Sequence, residues 1–435
     1  AADVDRAVER AAAAFPAWRA VAPAERAALL RAISDVVREH REELAVLEAR
    51  NAGKPIGDAR GEMDMVAQVF AYYAGSPERL LGDTIPVPGG QAWTVREPLG
   101  VVGLIVPWNF PLAIAAWKLG PALAAGNTVV LKPAELTPLS ALRFAELALE
   151  AGLPEGVVGV VVGPGSVCGA RLVEHPGVAK IAFTGSTEVG RSIAAGAART
   201  IKRVTLELGG KSPNIVFADA DLAAAAAAAP GAVFGNAGQD CCARSRILVQ
   251  REAMDAFMAE LERAVTAIHV GDPLSDDTEM GPLISAGQRA TVSSFLDDGA
   301  PVAFRGSAPD GPGFWFAPTV LCPAEAAGTS SRAWREEIFG PVAVVMPFDT
   351  EEEAVRLAND TMYGLSGSIW SGDGGRALRV ARALDAGVLS INSNTSVRVS
   401  TPFGGFKQSG YGRELGPHAL DAYTEVKSIF YATDR

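Results

Sequence analysis

A chain of 435 residues is too long for one core and implies two or three domains. With 49% hydrophobic and 20% charged residues it has a globular composition, neither disordered nor fibrous. The formal net charge of -11 argues against nucleic-acid or anionic-membrane partners, and apolar runs stay short of the roughly 18 residues of a membrane span.

Leu29, Leu30, Ile33, Val36, Val37, Leu44 and Leu47 recur at helical spacing and predict core-facing helices that stop at Gly53-Lys54-Pro55. Asp83–Arg96 alternates polar and apolar residues around Pro86, Pro88, Gly89 and Gly90, which predicts a projecting hairpin suited to subunit contact. β-Branched runs then alternate with helical stretches: Val101–Val106, Thr128–Leu131, Val157–Val162, Ile181–Phe183 and Val204–Leu208. That order predicts a parallel α/β sheet. Ala223–Ala229 reads as a buried helix capped by Asp219 or Asp221. Arg246–Val249, Val342–Met346, Gly367–Trp370 and Val388–Asn392 supply the strands of a second α/β domain.

The four cysteines, Cys168, Cys241, Cys242 and Cys322, show neither a disulfide framework nor CxxC spacing, and no signal peptide is visible. The expected location is the cytoplasm, and no metal site is expected. The four histidines form no recognisable nucleophile motif, which argues against a Ser-His-Asp hydrolase.

Several segments carry reactive residue types. In Asn236-Ala237-Gly238-Gln239-Asp240-Cys241-Cys242 a thiol stands among glycine and small polar residues, where backbone approaches a ligand closely; the alternative is a buried cysteine acting as a small hydrophobe. In Arg203–Lys211, Glu207 points away from the face shared by Val204, Leu206 and Leu208, at a strand's carboxyl end, where open α/β sheets bind ligands. Alone it is an ordinary solvated carboxylate; beside a nucleophilic cysteine it is a candidate base for activating water. Asn109, in Pro107-Trp108-Asn109-Phe110-Pro111, is either an amide donor to an oxyanion or a turn residue bonding its own backbone. Phe183-Thr184-Gly185-Ser186-Thr187-Glu188-Val189-Gly190 joins a strand to a helix with glycines suited to phosphate, though its spacing departs from GxGxxG.

Together these segments closely resemble the aldehyde dehydrogenase superfamily, as do Leu131-Lys132-Pro133-Ala134-Glu135, Glu337-Ile338-Phe339-Gly340-Pro341-Val342 and Pro402–Gly410. The resemblance runs from the opening helix to the C-terminus. It implies a Rossmann-like cofactor domain (1–80 and 99–209), an α/β catalytic domain (210–410) and a small β oligomerisation element (81–98 and 411–435). By the same resemblance Cys241 is the nucleophile and Cys242 a pocket neighbour. Asn109 and the Cys241 backbone N–H form the oxyanion hole, hydride leaves for nicotinamide, and Glu207 activates the water that hydrolyses the thioester. Lys118 and Glu414 match the proton relay behind that glutamate. Lys132 and Glu135 match the adenosine-ribose contacts, and a carboxylate there favours NAD over NADP. Gly185 and Ser186 match the pyrophosphate contact, Glu337 and Phe339 the nicotinamide contacts. Singly, Lys132 and Glu135 read as surface charges and Phe339 as a core aromatic.

The implied substrate tunnel comprises Phe110, Ala113, Ile114, Trp117, Asp240, Cys242, Val397 and Phe403. This mostly apolar set ranks medium-chain, aromatic or ω-amino aldehydes ahead of acidic semialdehydes, which Arg398 would favour. Asp240 has a second reading, as a structural hydrogen-bonding residue of its loop. The alternatives are a coenzyme-A-acylating semialdehyde dehydrogenase, or a catalytically silent member of the fold; the presence of Glu207, and of Cys241, argues against them. Family members carry further residues before the opening helix, so a trimmed or disordered leader is expected. Tyr423–Ser428 resembles the family's strand pairing between subunits, which implies a homodimer or homotetramer.

Overall fold

The structure, a computed structural model, describes residues 1–297, 299–323, 329–395 and 397–433. Its first sheet has six strands in the order Gly410–Tyr411, Arg203–Glu207, Lys180–Thr184, Val101–Ile105, Thr128–Lys132, Val158–Val160. All neighbours are parallel except Gly410–Tyr411, which returns antiparallel to the edge. Side-chain alternation gives each face its own core. Val102, Leu104, Val129, Leu131 and Ala182 pack under the N-terminal helices and the helix Pro111–Ala124. Val101, Ile105, Val130, Ile181 and Phe183 pack on the opposite face with Val4 and Val8 of the opening helix Ala2–Ala20.

A second sheet has seven strands, Val302–Arg305, Thr319–Leu321, Val342–Phe348, Arg246–Gln250, Pro213–Val216, Ser366–Trp370 and Val388–Ile391, around a separate core. Only Val302–Arg305 is antiparallel to its neighbour. A third sheet is the hairpin Thr84–Val87 and Gly90–Pro98 joined by Thr424–Ala432, all antiparallel. No helix among the described residues is long and apolar enough to cross a membrane.

Three expectations need amending. The strand expected at 157–162 is only Val158–Val160. Pro213–Val216, Val302–Arg305 and Thr319–Leu321 are additional to the expected strands; each is three or four residues long, and the first opens on a proline. The alanine-rich helix, Leu222–Val233, is buried on one face only. Ala225, Ala226 and Ala229 enter the core, whereas Ala223, Ala224 and Ala227 are exposed, as the 3.6-residue period requires of a helix lying on a sheet. Its cap is Asp221, which accepts from the Ala224 N–H at 3.0 Å; Asp219 instead accepts from the Ser371 hydroxyl at 3.0 Å.

This architecture aims the carboxyl ends of Val101–Ile105, Lys180–Thr184 and Arg203–Glu207 at the second sheet's loops. The chain crosses between the two units at Gly209-Gly210. A Cβ on Gly210 would collide with the Cys241 carbonyl oxygen, so the crossing backbone lies directly against the cysteine loop.

Candidate active site

The loop after Leu222–Val233 turns through Asn236 and Ala237, both left-handed at φ 52° and 55°, and then Gly238 at φ 69°. Non-glycine residues adopt this conformation only where surrounding contacts hold it. Here those contacts are side-chain amides. The Asn236 amide donates to the Asn109 carbonyl at 2.9 Å and the Gln239 carbonyl at 3.3 Å. Gln239 donates back to the Asn236 carbonyl at 3.1 Å and accepts from the Ile284 N–H at 2.9 Å. A side chain at Gly238 would strike the Gly340 carbonyl.

Held this way, Cys241 is half-exposed while Cys242 is buried, so the small-hydrophobe description fits the second cysteine and not the first. The ligand atoms of Asp240, Cys241 and Cys242 lie within 4.8 Å of one another. The Cys242 thiol hydrogen bond, burial and the nearby Asp240 and Glu337 carboxylates push the Cys241 thiol well above its ordinary range. The resting thiol is therefore protonated and needs a base or an added positive charge to react.

Asn109 is buried, and its amide does not bond its own turn. It donates to the Gln239 carbonyl at 2.9 Å, two residues before Cys241. Asn109 and Cys241 both line a cavity of about 280 Å³ with Gly209, Gln288, Glu337 and Phe339.

Glu207 ends its strand, buried, with neither carboxylate oxygen hydrogen-bonded. Gly404 packs so close that a Cβ there would sit 2.9 Å from Glu207 Oε1. Burial, followed by the negative charge of Glu414, holds the Glu207 carboxyl well above the usual carboxylate range, against the pull of Lys118 and Arg413. Lys118 and Glu414 form a buried ion pair, and Lys118 also donates to the Thr184 hydroxyl at 2.8 Å. A carboxylate tuned upward in this way is a better proton acceptor than an ordinary one.

A larger cleft of about 660 Å³ shares Pro107, Trp108, Thr184, Gly185 and Ser186 with the cysteine cavity, so one channel leads from the strand ends to Cys241. Lys132 and Glu135 also line it. Lys132 is buried and donates to the Pro133 carbonyl at 3.0 Å, which removes its surface-charge reading, whereas Glu135 is exposed. Ser186 caps the helix Thr187–Ala198 by accepting from the Val189 N–H, presenting a helix N-terminus to the cleft. Phe339 is half-buried and meets Trp108 edge-on, with ring centroids 5.3 Å apart; it is a cavity wall, not a core residue. Glu337 accepts from the Gly210 N–H at 2.9 Å, and burial pushes its carboxyl up to about 7. An elongated ligand with phosphates and a ring at each end fits these features.

On the other side of Cys241, Trp117 and Phe403 meet with centroids 5.1 Å apart and join Ala113, Ile114 and Cys242 in one apolar cluster, flanked by Phe110 and Val397. The Lys54 ammonium already covers one face of Phe110, 4.1 Å from the ring centre. Asp240 accepts from the Cys242 N–H at 2.8 Å, its structural role, and Arg398 is exposed with a bond to the Thr395 carbonyl at 3.3 Å. The sequence reading overlooked Asn236, Gln239 and Arg413. Two amides in a glycine-containing loop were the available signal for the first pair.

Comparison with known proteins gives the family. The sequence model of the aldehyde dehydrogenase family matches residues 1–429. The phenylacetaldehyde dehydrogenase of Pseudomonas fluorescens is 45% identical over 445 residues, covering 99% of this chain and 88% of that protein. Aminoaldehyde dehydrogenase 2 of Zea mays is 43% identical over 444 residues, covering 98% and 87%. Among solved structures, the betaine aldehyde dehydrogenase of Staphylococcus aureus in complex with NAD+ superposes with a TM-score of 0.96 at 42% identity, covering 100% of this chain and 88% of that one.

Proposed function

Because this chain belongs to the aldehyde dehydrogenase family, and is an NAD-dependent oxidoreductase of aldehydes, we propose that Cys241 is its nucleophile and Glu207 its general base. The observation that carries this reading is a half-exposed thiol and a buried amide lining one cavity, whose wall residues Leu208 and Gly209 directly follow the buried, unpartnered carboxylate of Glu207. Cys241 adds to the aldehyde carbonyl, and Asn109 with the Cys241 N–H stabilises the oxyanion of the thiohemiacetal. NAD, when bound, supplies the hydride acceptor and a cationic ring that favours the thiolate. Lys132 and Glu135 would hold its adenosine ribose, Gly185 and Ser186 its pyrophosphate, Glu337 and Phe339 its nicotinamide end. Glu207 then takes a proton from the water that cleaves the thioester, releasing the acid and the thiol, with Lys118 and Glu414 receiving the proton behind it.

The substrate reading is a medium-chain, aromatic or ω-amino aldehyde. It is supported by the Trp117–Phe403 walls and by the names of the relatives above. Since Lys54 covers one face of Phe110, recognition of a cationic tail falls to Trp117 and Phe403. Cofactor binding is assigned to 1–80 and 99–209, catalysis to 210–410. The three-stranded sheet, with Ile85, Val426, Phe430 and Tyr431 exposed, is assigned to pairing with a second copy in a homodimer or homotetramer. The four free cysteines support a cytoplasmic location. The test compares kcat/KM for an ω-aminoaldehyde, an uncharged aldehyde of equal length and succinic semialdehyde; preference for the last would overturn the ranking and implicate Arg398.

A further inference from the structure

Hydrolysis leaves a proton on Glu207, and a route separate from the cofactor cleft and the aldehyde tunnel would let it leave before either is emptied. A second cavity, of about 540 Å³, lies between the six-stranded sheet and the three-stranded sheet. Lys180 and Thr205 line it, flanked by Arg96, Arg203, Asp421 and Glu425. It is at the amino ends of the strands, on the far side from the cofactor cleft.

Lys180 opens the strand Lys180–Thr184, and the register pairs Lys180 with Arg203 and Thr184 with Glu207. Side chains alternate, so Lys180, Thr184, Thr205 and Glu207 all share one face of the sheet. Lys180 is 1% exposed, donates to the Thr205 hydroxyl at 3.0 Å, and lies 4.9 Å from the centre of the Tyr423 ring. At the other end of the same strand Thr184 carries Lys118, the partner of Glu414. Four residues of strand span about 13 Å, of which a lysine side chain covers roughly half, so a link across the remainder requires one or two bridging waters. Glu414 Oε2 and both Glu207 oxygens are buried without partners, as acceptors on such a path require.

We propose that Lys180 is the last relay group of a proton route from Glu207 to the cavity between the two sheets. The inference rests on Glu207 being the general base. The Glu207 O–H bond breaks as Glu414 takes its proton. The Glu414–Lys118 pair passes one proton on, the neutral Lys180 amine forms an N–H bond with it, and cavity water removes it. Each group then regains its starting state.

Burial first, and then the Lys118 charge, bring the Lys180 ammonium down to about 7, with Glu414 opposing and Arg203 adding to the effect. Such an amine both takes and releases a proton near neutrality. At the mouth, Arg96 pairs with Asp421 at 2.7 Å, Arg203 pairs with Glu425, and the Tyr423 phenol is pushed upward by burial.

Lys180→Met removes the relay, and Lys180→Arg keeps a cation that holds its proton. Both are expected to lower kcat on the order of tenfold. KM for aldehyde and NAD and the rapid-mixing NADH burst should stay unchanged, and imidazole entering the cavity should raise kcat of Lys180→Met. A structural cation would be preserved by arginine, so normal kcat in Lys180→Arg overturns the proposal, as does loss of the burst or no response to imidazole. If Lys180→Met does not fold, Lys180→Arg decides by kcat and burst. Absence of NADH formation by the unmodified protein would instead defeat the reading of Cys241 and Glu207.

Discussion

Asn109 and Gln239 stand 130 positions apart in the sequence, yet the Asn109 side-chain amide donates to the Gln239 carbonyl at 2.9 Å. The bond ties the end of one sheet's central strand to the loop that carries Cys241. It fixes where the Asn109 amide, the proposed oxyanion donor, stands relative to the loop of Cys241.

Asn109→Ala should therefore lower kcat by roughly 10²–10³, the usual cost of one oxyanion donor. KM for NAD should change little, because Asn109 does not line the larger cleft that holds Lys132 and Glu135. Steady-state kinetics with unchanged kcat would return Asn109 to a loop-anchoring role.

Cys241→Ala is expected to abolish turnover while NAD still binds, measured by fluorescence quenching or calorimetry. Cys242→Ala should have a mild effect, since Cys242 is the buried neighbour of the proposed nucleophile. A severe loss at Cys242 with activity kept at Cys241 would exchange their roles.

The acid limb of the kcat profile should reflect Glu207, which accepts a proton only when ionised. Because burial and Glu414 raise its carboxyl, the limb should lie above the ordinary carboxylate range. Glu414→Gln deletes a negative neighbour, making ionisation easier, and should move the limb to lower pH. Lys118→Met deletes a positive neighbour and should move it higher. Each displacement is expected to be on the order of one pH unit. Displacement of both in the same direction would contradict the electrostatic assignment.

Glu135→Ala should narrow the preference for NAD over NADP, by roughly fivefold for so exposed a carboxylate. Equal kcat/KM for the two cofactors in the unmodified protein would exclude Glu135 as the discriminating residue.

The strand ends that build the site were readable because β-branched runs such as Val101–Val106 and Val204–Leu208 stop at proline or glycine. The position of Glu207, at a strand end just before Gly209-Gly210, was readable in the same way. Long-range polar ties were not. Nothing local to Asn236 or Gln239 says that their amides lock a left-handed turn against Asn109. Lys180 opens a strand, where lysine ordinarily reads as solvated, and only packing against Tyr423 and the third sheet buries it. Similarly Asp240 reads equally well in the sequence as a tunnel carboxylate and as a loop residue; its bond to the Cys242 N–H shows the loop role.

The most direct test is the mass of the cysteine peptide from Glu207→Gln, quenched with acid milliseconds after mixing with NAD and an aldehyde. An amide cannot take the proton from water, so the thioester should accumulate. The Cys241 peptide should gain the aldehyde's mass less two hydrogens, in step with one NADH per site. A normal steady state, an unmodified Cys241, or the acyl group on Cys242 would contradict the account.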